Sequence, residues 1–164
     1  MPRVSEIADH PRVRTVVAAL ERLGATGSVR VLPGSARTAV EAAASLETDV
    51  GAIVNSLVFD AAGEPLLVLT SGAHRVDTRA LAQRAGVAAL DRATPELVRA
   101  ATGFAIGGVS PVGHPAPVRT LVDRWLSRHD TIWAAAGHPR TVFPTTYAQL
   151  LRLTGGEPVE VGED

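Results

Sequence analysis

The chain contains no cysteine and no lysine; all 16 of its Lys-plus-Arg residues are arginine. Without cysteine there is no thiol nucleophile, no disulfide framework, no iron–sulfur cluster and no thiolate-held zinc. Without lysine there is no Walker-type phosphate loop, no Schiff base and no Ser–Lys dyad. Aromatic residues are also scarce, at 4%, so the 46% hydrophobic fraction is mostly Ala, Val and Leu. No apolar run approaches the roughly 20 residues of a membrane span. The opening Met-Pro-Arg-Val-Ser-Glu lacks a charged-then-apolar leader. A cytoplasmic protein with no membrane contact is expected.

At 164 residues the chain is long enough for one domain with a real core, and a single domain over 1–164 is expected. The formal charge of -1 argues against a generic nucleic-acid binder. Yet the acids cluster, at Glu41, Glu47, Asp49, Asp60 and Glu64 and again in the tail at Glu157, Glu160, Glu163 and Asp164. The remainder holds twice as many arginines as acids, so a basic face is compatible with a neutral total. Scattered, solvated arginines are the alternative.

Helices and strands alternate along the chain. Val13, Val16, Val17, Leu20 and Leu23 keep helical spacing up to Gly24. Ser28–Leu32 reads as a short strand. Thr38 and Glu41 form a capping box for a helix to about Leu46. Ile53–Phe59 and Leu66–Thr70 read as a hairpin through Asp60–Gly63. Asp77 caps a helix ending at Gly86, and Thr94-Pro95 starts another. Further strands are expected at Arg119–Val122, Thr131–Ala136, Thr141–Phe143 and Pro158–Val161, with a helix opened by Thr146 and Gln149. Hairpins together with crossovers indicate an α+β domain with a mixed, largely antiparallel sheet core surrounded by helices.

The most constrained stretch is Gly107-Gly108-Val109-Ser110-Pro111-Val112-Gly113-His114-Pro115. Glycine allows close backbone approach and proline fixes the chain around it, so the loop can offer main-chain groups as a rigid binding surface. It is longer and more constrained than a turn requires. Ser110 fails as an elbow nucleophile. The second glycine of Gly-x-Ser-x-Gly is missing, and Pro111 has no N–H for an oxyanion. His114 and His138 each stand in a Gly-His-Pro context in loops, where an imidazole can face a pocket. No histidine pair has helical i, i+4 spacing, so neither metal nor cofactor is expected. Asn55 lies mid-strand among apolar residues, and a polar side chain there either faces a pocket or is costly to bury. Alternation places Asn55, Leu57 and Phe59 on one face.

The ordered set Val54–Phe59, Leu67–Gly72 with Arg75-Val76-Asp77, Gly107–Gly113 and Ala135-Ala136-Gly137 resembles the YbaK/prolyl-tRNA-editing family over residues 25 to 155. The resemblance implies a compact α+β fold and hydrolysis of the ester joining a wrong, small amino acid to proline tRNA or a related tRNA. Its Gly-x-x-x-Pro loop falls on Gly107, Gly108, Val109, Ser110 and Pro111. These residues, with Asn55 and His138, are the candidate catalytic set. Ser56, Ser71, Arg75, Gly113, His114 and Gly137 are the candidate substrate-binding set, Arg75 toward tRNA phosphate. The acceptor end of an aminoacyl-tRNA is the implied partner, with an aminoacyl-tRNA synthetase as a second. One departure stands out. Editing members carry a lysine where this chain has Asn55, which hydrogen-bonds but brings no charge. A non-catalytic tRNA-binding module and a small-metabolite esterase therefore remain as alternatives to a free-standing editing hydrolase.

Overall fold

The computed structural model describes residues 3–34, 36 and 38–162. Two short sheets share one interior. The larger has strand order β4-β2-β3-β5-β8, and the smaller has order β1-β7-β6. The strands are β1 (Arg30–Val31), β2 (Val54–Ala61), β3 (Glu64–Ser71), β4 (Asp91–Arg92), β5 (Arg119–Asp123), β6 (Ile132–Ala135), β7 (Thr141–Thr145) and β8 (Glu157–Val159). The helices are α1 (Val4–Ala8), α2 (Pro11–Arg22), α3 (Ala39–Leu46), α4 (Thr78–Ala85), α5 (Pro95–Thr102) and α6 (Tyr147–Thr154). The α+β class and the mixed pairing are as the sequence indicated. The two pairings of β5 are parallel and the remaining ladders antiparallel.

Local signals set most boundaries. Side chains of Thr38, Asp77, Thr94 and Thr146 each accept the backbone N–H three residues on, closing the first turns of α3, α4, α5 and α6. Gln149 does not complete a box with Thr146. Its carboxamide instead accepts from the Thr145 hydroxyl at 2.8 Å. The β2–β3 hairpin is longer than expected, because a two-residue turn suffices. Ala62 and Gly63 both take positive φ, 54° and 97°, and Asp60 Oδ1 accepts the Gly63 N–H at 2.6 Å. β1 is shorter than expected, while α1 and β4 carried too few residues for a periodic signal.

Period-two alternation gives the large sheet two buried faces. Val54, Leu67, Leu69 and Val122 face a core shared with α2, α6, Phe104, Val109 and the small sheet. Phe59, Leu66, Val68 and Leu121 face α4. The end of β5 carries a fully buried Asp123, which has several donors. His74 Nδ1–H donates to it at 2.8 Å, the Ser71 N–H at 2.9 Å, the Thr70 hydroxyl at 3.2 Å and the Trp125 N–H at 3.0 Å. This network locks the end of β3 to β5 and to the 3-10 turn at 124–128.

Candidate active site

The pairing of β2 leaves part of its outer edge open. β4 covers only Phe59 and Asp60, and an isolated bridge joins Ile53 to Trp133. Among the described residues no strand covers the edge between them. A cavity of about 170 Å³ lies there. Its walls come from four places: Ala39 and Ala42 of α3, the start of β2, the loop at Ile106–Val109, and the β6–β7 hairpin with Trp133 and His138. Asn55 and Ser56 both border it, although alternation puts them on opposite faces of β2, because the cavity sits against the strand edge.

Two glycine contacts bring the loop to the hairpin. A β-carbon on Gly108 would stand 3.1 Å from both the Gly137 carbonyl carbon and the His138 nitrogen. Gly137, at φ 101°, is itself pressed against the start of α2, where a β-carbon would lie 2.8 Å from the Arg12 carbonyl oxygen. The two glycine-rich motifs singled out in sequence thus touch, and both need glycine to do so.

His138 is held in a defined state. Its Nδ1 accepts the Arg140 N–H at 3.0 Å, so the neutral ring carries its proton on Nε2. Burial pushes its pKa below 6.5, with further lowering from the adjacent His10 and Arg140. The His10 ring meets it edge-on at 5.7 Å and its Nδ1 accepts the Arg12 N–H at 3.1 Å, capping α2. At this cavity His138 is therefore a donor through Nε2–H.

Of the expected site residues, Asn55, Ser56, Gly107, Val109 and His138 line the cavity, and Gly108 and Gly137 hold the loop against the hairpin. Ser110 and Pro111 are buried and do not line it. The Ser110 hydroxyl accepts the Val112 N–H at 3.1 Å. Gly113 and His114 border a different depression, beside Arg22 and Pro115. There His114 Nε2–H donates to the Ser110 carbonyl at 2.8 Å. Burial lowers the His114 pKa, opposed by that bond. Ser71 is fully buried, its hydroxyl donating to the Gly51 carbonyl at 2.7 Å. Arg75 is exposed and does not line the cavity. Sequence reasoning did not single out Trp133, Ile106, the α3 wall or His10. Only Ile106, an apolar residue 63% exposed beside the glycine pair, had a readable neighbour. Among the described residues, no group of three or more His, Asp or Glu is placed to hold a metal ion. No helix among them is long and apolar enough to cross a membrane.

Residues 34–153 match the family model of the aminoacyl-tRNA editing domain. The fold and the matched stretch thus define an editing-type domain. The chain belongs to the aminoacyl-tRNA editing family. It is 30% identical over 165 residues to a proline–tRNA ligase of Nitratidesulfovibrio vulgaris strain Hildenborough, covering 94% of this chain and 27% of the ligase. A proline–tRNA ligase of Latilactobacillus sakei is 34% identical over 94 residues, 57% of this chain and 16% of that one. The chain thus spans about a quarter, or less, of the ligases it matches. A crystal structure described as a candidate trans-editing enzyme for prolyl tRNA synthetase superposes with TM-score 0.86 at 43% identity, covering 94% of this chain and 98% of that chain. A scaffold protein used for epitope grafting superposes with TM-score 0.88 at 40% identity, covering 94% and 99%.

Proposed function

We propose that this chain is a free-standing hydrolase that removes a small, wrongly attached amino acid from proline tRNA or a related tRNA. The observation that carries the reading is the meeting of Asn55, Ser56, the Gly107–Val109 main chain and a neutral His138 around one small cavity, in a chain of the aminoacyl-tRNA editing family. Apart from His138, the cavity has no titratable side chain among the described residues, and its other walls include Ala39, Ala42, Ile53 and Val142. Such walls suit a short uncharged side chain.

An aminoacyl ester is already activated, so placing a water and stabilising the developing oxyanion supply much of what is needed. Water oxygen attacks the ester carbonyl carbon, the bond between that carbon and the ribose oxygen breaks, and the water's proton passes to the departing ribose oxygen. Loop main-chain groups position the ester, the neighbouring ribose hydroxyl assists the water, and Nε2–H of His138 donates to a substrate oxygen. Asn55 orients the acyl end without charge. The acceptor end of the tRNA is the part that enters. The ligase relatives, which carry the matching stretch inside a longer chain, favour an aminoacyl-tRNA synthetase as a second partner.

Purified protein incubated with a panel of mischarged tRNAs tests the reading. Deacylation above the uncatalysed rate on at least one small amino acid supports it, and none at high enzyme concentration sinks it. Asn55, standing where editing members carry lysine, favours one second reading, a tRNA-binding module without turnover. Tight binding of the same tRNAs with no deacylation would select that alternative.

A further inference from the structure

The tripeptide His-Pro-Arg occurs twice, at His10-Pro11-Arg12 and at His138-Pro139-Arg140. The first lies outside residues 34–153, the stretch that matches the editing domain, and the second lies inside it. Both fold the same way. Proline has no N–H, so the first donor beyond it is the arginine N–H. His10 Nδ1 accepts that of Arg12 at 3.1 Å, and His138 Nδ1 accepts that of Arg140 at 3.0 Å. Each donor sits on a fixed segment. Arg12 belongs to the first turn of α2, and the buried Arg140 guanidinium donates to the carbonyls of Leu32 at 3.0 Å and Pro33 at 3.2 Å. The two tripeptides then meet. Their rings stand edge-on at 5.7 Å, and Gly137, just before His138, presses on the Arg12 carbonyl.

We propose that His10 is a positioning residue for the candidate active site, its ring holding the His138 imidazole with Nε2–H available to the cavity. His138 needs such a hold. The torsion that turns an imidazole about its Cβ–Cγ bond has broad wells. One hydrogen bond at Nδ1 pins one atom and leaves the ring free to tilt about it. His138 is only half-buried, so packing alone does not stop the tilt. An edge-on ring on its flank does, and aromatic pairs prefer that arrangement. The support is stiff, because His10 is itself tied at Nδ1 and followed by Pro11. That proline confines it to the extended backbone of an N-cap, at φ -56° and ψ 135°. His10 does not line the cavity, so it acts on substrate only through His138. A donor that needs no reorientation during the reaction is worth most. The effect on rate rests on the hydrolase reading, whereas the effect on the ring is read without turnover.

The test separates ring from cap in the full chain. His10→Asn keeps the cap and removes the ring, and His10→Phe keeps a ring and removes the cap. Deacylation of one mischarged tRNA is followed at about pH 8, where both imidazoles are neutral. His10→Asn is expected to lower kcat about fivefold with KM unchanged, the worth of one ring pair, while melting near the native temperature. His10→Phe is expected to melt lower yet stay within about twofold of the native kcat. A merely structural role predicts the reverse order. In NMR spectra the His138 ring protons should form one sharp set in the native chain and in His10→Phe, and should split or broaden in His10→Asn. The proposal is overturned if that set stays single and sharp in His10→Asn, or if kcat follows melting temperature across the variants. If the native chain deacylates nothing, the hydrolase reading falls and the ring spectra alone decide the proposal. If deacylation proceeds and the His138 ring is unmoved in His10→Asn, only the proposal falls.

Discussion

Gly108 lies so close to His138 that a β-carbon on it would stand 3.1 Å from the His138 nitrogen and 3.2 Å from its α-carbon. The contact is backbone against backbone, so neither partner can swing aside as a long side chain would. Gly137 cannot retreat either, because the Arg12 carbonyl lies behind it. Gly108→Ala should therefore cost about 1–3 kcal/mol by overpacking and widen the cavity between loop and hairpin. The expected result is a lower melting temperature together with at least a tenfold loss of deacylation. Gly107→Ala makes an instructive contrast. Its β-carbon would meet nothing within 4 Å, but φ is 97°, so the penalty is conformational, about 1–2 kcal/mol. Equal Tm losses with equal activity losses in the two variants would contradict the packing argument.

His138 should titrate below 6.5 in an NMR pH series, burial being the main cause and His10 the next. A histidine whose folded pKa is depressed favours folding fully above the unfolded value. That contribution fades as pH falls from about 6.5 toward the folded pKa. Stability should thus rise with pH across this window. His10→Asn preserves the α2 cap, since asparagine caps well, while removing the ring beside His138. The His138 pKa should then move up toward 6.5, and the acid limb of the deacylation profile should move up with it. An unchanged titration in His10→Asn would show that the edge-on contact has no electrostatic consequence.

Asp123 tests the frame rather than the chemistry. Four donors converge on its carboxylate and its side chain is fully buried. Asp123→Ala leaves the His74 imidazole and two backbone N–H groups without their acceptor, and removing one member of such a buried set costs about 3–5 kcal/mol. Chemical denaturation should show this as a large drop in midpoint. A loss below 1 kcal/mol would mean that water replaces the carboxylate.

Much of this architecture was legible because it is written locally. Thr38, Asp77 and Thr94 announce helix starts through a hydroxyl or carboxylate placed three residues before an N–H. Gly86 and Gly155 end helices by taking positive φ. The candidate site was legible only in part. Asn55 could be chosen because a polar residue stood out among apolar ones, Gly107 because it opens the glycine-rich loop, and His138 because it follows the family-like Ala135-Ala136-Gly137. Trp133 and Ala39 could not, because an ordinary strand residue and an ordinary helix residue become cavity walls only through long-range packing. Gly113 and His114 failed to join the cavity for a related reason. The loop turns at Ser110, whose buried hydroxyl binds the Val112 N–H, and sends its second half to another part of the surface. That reversal has no one-dimensional signature.

Asn55 separates two readings of the same cavity. It is exposed at the cavity and strand pairing places it opposite Thr70, so substitution there should leave the fold intact. If the native chain deacylates, Asn55→Ala should reduce the rate by about tenfold, the worth of one hydrogen bond used in the transition state. Asn55→Lys should then give little gain, because the acyl end is already oriented. If the native chain only binds, Asn55→Lys is the variant expected to turn over. Single-turnover assays on one mischarged tRNA distinguish the outcomes.

Ser110 looks like the obvious nucleophile, and the structure gives it no such opportunity. Its side chain is fully buried, does not line the cavity, and its oxygen accepts the Val112 N–H. Pro111 follows it, so the N–H that would stabilise an acyl-serine oxyanion does not exist. Ser110→Ala should consequently lower stability by about 1 kcal/mol through the lost hydrogen bond and alter the deacylation rate by no more than a few-fold. A covalent mechanism makes the opposite forecast. Ser110→Ala would abolish turnover, and mass spectrometry of quenched native protein would show an aminoacyl adduct at Ser110. Retained activity without an adduct would place the attack on water, at an ester positioned by the Gly107–Val109 main chain and by the His138 imidazole that Gly108 allows so near.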